Sequence, residues 1–213
     1  MSNFKIPGRI KTNNNIRMII LKAPDKNFHR YTEKPFPHYR FMAGENPHPT
    51  EHPQGHSYGK EFHQSEKLYP QRWYKNETYL YGVDLYNFAY WWEAHEAFES
   101  LWRKTRPVSL PRDFLQGLIK VSAAFLKWHQ RKERGLKYLF QEAMRHLKRV
   151  SKQKSLYMGL NLKKHISKLT DHFQGVLCDP PQWKDPRDHY PFIVLERTKK
   201  GLKKDNIHQE EQS

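Results

Sequence analysis

The chain has 213 residues, with 38 Lys and Arg against 22 Asp and Glu, a net charge of +16 with histidine neutral, and a mean hydropathy of −0.99. Its one cysteine, Cys178, excludes an internal disulfide and with it a small secreted stapled fold. No stretch approaches the ~20 apolar residues of a membrane span, and Met1–Lys11 lacks the apolar region of a signal peptide, so the expectation is a soluble, cytoplasmic protein without a membrane partner. Low hydropathy together with 14% aromatic residues suggests a compact aromatic core that carries polar arms.

In chain order, residues 1–35 hold scattered Lys and the run Asn13-Asn14-Asn15 and read as a disordered N-terminal region. Residues 36–79 are rich in Pro, His and aromatic residues, and read as an arm packed on a domain. His48, His52 and His56 recur every four residues, but Pro49 and Pro53 forbid one continuous helix through them. Prolines are absent from Gln71 to Arg106 and from Arg112 to Asp179, so a helical domain is expected over 80–178. Its first helix is expected from Val83 to Lys104 with Asp84 as N-terminal cap, its second from Pro111, and its third after Arg134 and Gly135. Leu162, Ile166, Leu169, Phe173 and Val176, spaced by four, three, four and three, mark a fourth. Residues 179–198 are expected to be extended, with 192–195 returning as a strand-like cover on the core, and 199–213 to be a charged tail. The fold class is all-α, a compact bundle of about four helices with an extended N-terminal arm and a C-terminal tail.

Charge is divided along the domain. Between Glu77 and Trp102 there are five acids and no Lys or Arg, whereas Arg103–Lys154 holds 15 Lys and Arg against Asp113, Glu133 and Glu142. Basic helices over 112–154 suit a nucleic-acid surface; they also suit ordinary solvated helix faces, with some basic groups paired to the acidic helix.

The first helix carries the chemistry. On a helical wheel Leu85, Phe88, Trp92, His95, Glu96, Glu99 and Trp102 share one arc, with Glu93 and Ser100 as a narrow polar edge. His95, Glu96 and Glu99 among tryptophans must find partners or take up protons. Arg103, Gln116 and Lys120 are candidate neighbours, and Trp92, Trp102, Gln116 and Lys120 are the expected pocket lining. The cluster reads in three ways: a polar network that fixes packing; a ligand or catalytic pocket with Glu96 or Glu99 as base; or a divalent metal site. For the last, His-Glu-x-x-Glu resembles half of the zinc helix His-Glu-x-x-His, and His48 or His56 on a folded-back arm would complete it. Ser57 beside His56 is set aside as a nucleophile.

These residues also carry a resemblance. Asn87-x-x-Tyr90-x-x-Glu93-Ala94-His95-Glu96-x-x-Glu99-x-x-Trp102, followed by Gln116-Gly117-Leu118-Ile119-Lys120 and a glycine near 135, resembles the domain-of-unknown-function family 309. The resemblance implies an all-helical domain and no established activity. The expected function is therefore a binding or structural module, with a metal- or carboxylate-dependent hydrolase using His95, Glu96 and Glu99, or a nucleic-acid binder, as alternatives.

Overall fold

The computed structural model describes residues 28–59, 66–183 and 190–196. The expected charged tail and residues 1–27 of the expected disordered region lie outside the described residues. Among those described, five α-helices follow one another: α1 (Glu77–Asn87), α2 (Trp91–Arg103), α3 (Leu110–His129), α4 (Glu133–Gln153) and α5 (Leu162–Phe173). A two-residue hairpin, β1 (Leu156–Tyr157) and β2 (Leu160–Asn161), joins α4 to α5. α1 packs on α2, α2 on α3, and α3 on α4, with α5 closing against α4, which makes the protein a helical bundle. Among the described residues, no helix is long and apolar enough to cross a membrane.

The first helix departs from its expected course. Instead of one helix from Val83, α1 starts at Glu77, where the Asn76 side chain accepts from Tyr79 N at 2.8 Å. It ends at Asn87, and α2 begins at Trp91. The break turns on Ala89, buried and left-handed at φ 63°. The corner is held by Ala89 N donating to Tyr86 O and Tyr90 N to Leu85 O. Asp84 is therefore mid-helix and fully buried rather than a cap.

Two glycines set the spacing of helices that must touch. A Cβ at Gly82 would sit 2.7 Å from the Phe98 ring, and one at Gly117 would sit 2.5 Å from a Leu147 methyl, so each allows backbone and side chain to meet with no intervening atom. Between these contacts lies an aromatic core. Trp91 stacks on Phe125 at 5.1 Å and meets Trp128 and Tyr190 edge-on, and all four are buried. Truncation of Trp91 to Ala is worth about 3–5 kcal/mol by the usual cost of emptying such a site.

The segments outside the helices are bonded into this core. Residues 190–196 run along the hairpin, where Leu195 bridges Leu160 and Glu196 N donates to Gly159 O at 2.7 Å. Asn87 grips this segment as a strand would: its Nδ2 donates to Ile193 O at 2.8 Å and its Oδ1 accepts from Ile193 N at 2.7 Å. Residues 28–35, grouped by sequence with the N-terminal region, hold to α1 through Asp84. Its carboxylate accepts from Tyr31 N at 2.8 Å, and from Thr32 N and Oγ1 at 2.9 and 2.7 Å.

His165 on α5 is sealed in this core beside Tyr86, and burial pushes its pKa down to about 4. A histidine depressed on folding contributes fully above its unfolded pKa and loses that contribution as pH falls from about 6.5 toward 4, at most about 3 kcal/mol. The melting temperature is expected to drop across that window, and His165→Leu is expected to flatten the drop. An unchanged slope in thermal melts would assign the acid sensitivity to other groups.

Candidate functional site

α2 presents two different ionisable groups, and only one of them is where the wheel puts it. His95, Glu96 and Glu99 lie together on a half-buried face, and one ligand atom from each falls within 4.8 Å of the others. His95 Nδ1 donates to the Ile119 carbonyl at 3.4 Å, so Nε2 is the ring nitrogen turned toward Glu99. That nitrogen is 3.9 Å from Glu99 Oε2, too long for a hydrogen bond. Arg103 pairs with Glu99 at 3.1 Å. Burial pushes the Glu96 carboxyl above the usual carboxylate range; the Glu99 charge adds to this, while His95, Arg103 and His48 oppose it. The face is thus two carboxylates and an imidazole, one carboxylate being held by a cation and the other only by longer-range charge.

The buried ionisable residue of α2 is Glu93, which the wheel places on the polar edge. The residue is only 6% exposed. Its Oε1 accepts from Phe41 N at 2.9 Å and from His56 Nε2 at 3.0 Å, both supplied by the arm. The wheel fails here because it assigns solvent to whatever the bundle leaves open, and the arm covers that side. His56 does come back to α2, as one reading of the arm expects, but to Glu93 and not to Glu99. His48 is occupied elsewhere: its Nδ1 accepts from Glu51 N at 3.3 Å, and its ring meets Phe41 and Trp92 edge-on. Among the described residues, neither joins the His95 cluster as a third-side ligand.

Ser57 is also placed by this contact. Its Oγ lies 2.8 Å from His56 Nδ1, so Ser57, His56 and Glu93 form a continuous relay. Against the expectation that no elbow glycines flank Ser57, the local sequence, Gly55-His56-Ser57-Tyr58-Gly59, has the Gly-x-Ser-x-Gly spacing of a nucleophile elbow. The structural context of an elbow, strand to helix, is not what surrounds it: 50–59 is a series of turns. Ser57 N is spent on Pro49 O and Tyr58 N on Gly55 O, both at 3.0 Å, so the amides flanking the serine are not free to hold an oxyanion. The relay works as a latch that fixes the arm on α2.

The four residues expected to line one pocket are divided. Trp92 and His95 line a cleft of about 230 Å³ with Phe41, Ala123, Leu126 and Lys127, so the His95 cluster opens beside an apolar hollow between the arm, α2 and α3. Trp102 and Gln116 line a second cleft of about 290 Å³ with Arg112, Asp113, His146 and Arg149. There the Arg112 guanidinium lies 3.7 Å over the Trp102 ring, and Asp113 is met by His146 at 2.8 Å and Arg149 at 3.3 Å. Lys120 joins neither, its ammonium lying 6.0 Å over the Tyr138 ring.

The two ion pairs of α2 are expected to differ sharply on substitution. His56→Ala leaves a buried carboxylate with one donor and is expected to cost about 3–5 kcal/mol. Glu99→Gln breaks a pair open to solvent and is expected to cost about 1 kcal/mol or less. Urea unfolding of the two variants checks this; equal losses would place the structural load on Glu99 as well.

No curated protein and no solved structure matches the chain. Residues 79–139, the stretch from α1 into α4 that carries His95, Glu96 and Glu99, match the family model described as Domain of unknown function (DUF309).

Proposed function

We propose that the domain is a binding module that holds a divalent cation with His95, Glu96 and Glu99, beside the small apolar cleft that shares His95. The observation that carries this reading is the pose of His95. A backbone carbonyl occupies Nδ1, leaving Nε2 facing a carboxylate at 3.9 Å, the arrangement by which a hydrogen-bond acceptor on one ring nitrogen orients the other to ligate. Ligands around one ion stand about 3–3.5 Å apart when metal–ligand bonds are near 2.1 Å, so the present spacing closes with small side-chain rotations. One nitrogen and two carboxylates suit Zn²⁺ or Mn²⁺ better than Mg²⁺. A cation also relieves the like charges that, with burial, raise Glu96.

A second reading, a metal- or carboxylate-dependent hydrolase, is favoured by Glu96 itself. A carboxylate raised by burial next to an apolar cleft is suited to general-base work. In that case Glu96→Gln would retain the cation and lose turnover.

Saturation with Zn²⁺ or Mn²⁺ at about 100 times Kd adds about 2.7 kcal/mol, expected as a rise in Tm of about 5–10 °C for a domain of this size. His95→Ala and Glu99→Gln are expected to remove the rise. A flat melting curve with every metal, together with a null calorimetric titration, would return the cluster to a packing role. Without metal, Glu96→Gln is expected to raise Tm at pH 7. The folded pKa lies above the unfolded 4.5, so the ionised form weighs against folding, and that penalty grows as pH rises through this range. The gain should vanish below about pH 4.

A further inference from the structure

α4 buries Leu136, Phe140, Ala143, Met144, Leu147 and Val150 and leaves the opposite face to solvent. On that face Arg134, Tyr138, Gln141, Arg145, Lys148 and Lys152 are all exposed and spaced by four, three, four, three and four residues. They form one row along the helix axis, about 27 Å long at 1.5 Å per residue. Each acid of α3 and α4 already has a partner within the same pair of helices: Asp113 has His146 and Arg149, Glu133 has Lys137, and Glu142 has Arg145. Arg145 is thereby partly neutralised, and the field along the row comes from Arg134, Lys148 and Lys152, with Lys120 reaching in from α3. In the middle of the row stands Tyr138, 60% exposed, with the Lys120 ammonium 6.0 Å from its ring. An exposed tyrosine has no reason of packing to be there, since nothing apolar adjoins it on the row.

We infer that the exposed row of α4 is a binding surface for single-stranded nucleic acid, in which the basic side chains follow the phosphates and Tyr138 stacks on a base. The tyrosine selects among polyanions. An acidic peptide or an anionic lipid surface offers charge but no flat face for the ring, and a duplex keeps its bases stacked within itself. A single line of cations also follows one backbone, and its length matches the low end of the roughly 4–16 nucleotides that a single-strand-binding domain covers. This surface is independent of His95, Glu96 and Glu99 and stands or falls without them.

The test is fluorescence anisotropy of the full chain with labelled 12-nucleotide oligo-dT and oligo-U. Four phosphate contacts give a slope of log affinity against log salt near −3, so binding is expected to weaken about 50-fold between 50 and 200 mM salt. Tyr138→Ala is expected to weaken it at least about tenfold, while Tyr138→Phe retains it. K148E/K152E is expected to abolish binding, whereas K163E/K164E, the same charge change on exposed positions of α5, leaves it within about twofold. All four positions face solvent, and a thermal melt of each variant confirms that the fold is kept. The proposal is overturned if neither strand binds at 50 mM salt, or if the two charge-reversal pairs lose affinity equally, which would mark bulk charge. It is overturned too if a duplex or polyglutamate competes as well as the single strand and Tyr138→Ala has no effect.

Discussion

A polar group sealed inside a protein is costly unless hydrogen-bonded, and among the described residues the first two helices bury three carboxylate or amide side chains whose partners come from outside the helices. Asp84, Asn87 and Glu93 lie on the α1–α2 unit, each less than a tenth exposed. Asp84 is bonded by residues 31–32, Asn87 by residue 193, and Glu93 by residues 41 and 56. In every case the donor comes from irregular chain far away in sequence. An unsatisfied group of this kind costs about 1–3 kcal/mol and a charged one more, so each acts as a socket that closes only when the right segment is seated. The non-helical segments are therefore held both by the apolar side chains they bury, Phe41, Met42, Leu68, Tyr190 and Ile193 among them, and by what the helices demand of their backbone.

This arrangement accounts for the low hydropathy and for the division of charge. The acids of the first two helices are not there chiefly to meet the basic helices that follow. Two of the five, Asp84 and Glu93, are anchoring points for backbone amides, and Glu99 is paired with Arg103 on its own helix. The described Lys and Arg ion pairs of α3 and α4 likewise join those helices to themselves or to each other, while His129 at the end of α3 meets Glu45 of the arm at 3.3 Å. The basic surplus is thus not consumed across the bundle, and it faces outward along α4.

The helical positions of α3, α4 and α5 were legible because their apolar residues recur at three and four and because proline avoids them. The break between α1 and α2 was not. Left-handed turns are normally announced by Gly or Asn, and here the residue is Ala89, whose conformation is imposed by the amide bonds of 89 and 90 to Tyr86 and Leu85. Asn87, visible in the sequence only as part of a shared pattern, has a physical role two residues before the turn, since its amide completes a strand-like pair with Ile193. The cluster His95, Glu96 and Glu99 was legible from spacing alone, because Glu99 lies one helical turn from both others, i+4 from His95 and i+3 from Glu96. The burial of Glu93 was not legible, because helical periodicity records only which side faces other helices. His56 and Phe41, which cover that side, are 37 and 52 residues away.

The three sockets bear on where the molecule ends as a physical object. The family match covers 79–139, yet Trp91 and Phe125, at the centre of that stretch, are walled by Phe173 and Tyr190, and Asp84 is closed by residues from the other end of the chain. The homologous stretch is a unit of inheritance; the unit of cooperativity is larger, reaching from Thr32 and its neighbours to Ile193. An evolutionary change in either flank is then constrained by α1 and α2 even where the flanks share no recognisable pattern, because what they must supply is a backbone N–H in a fixed place, which almost any residue but proline provides.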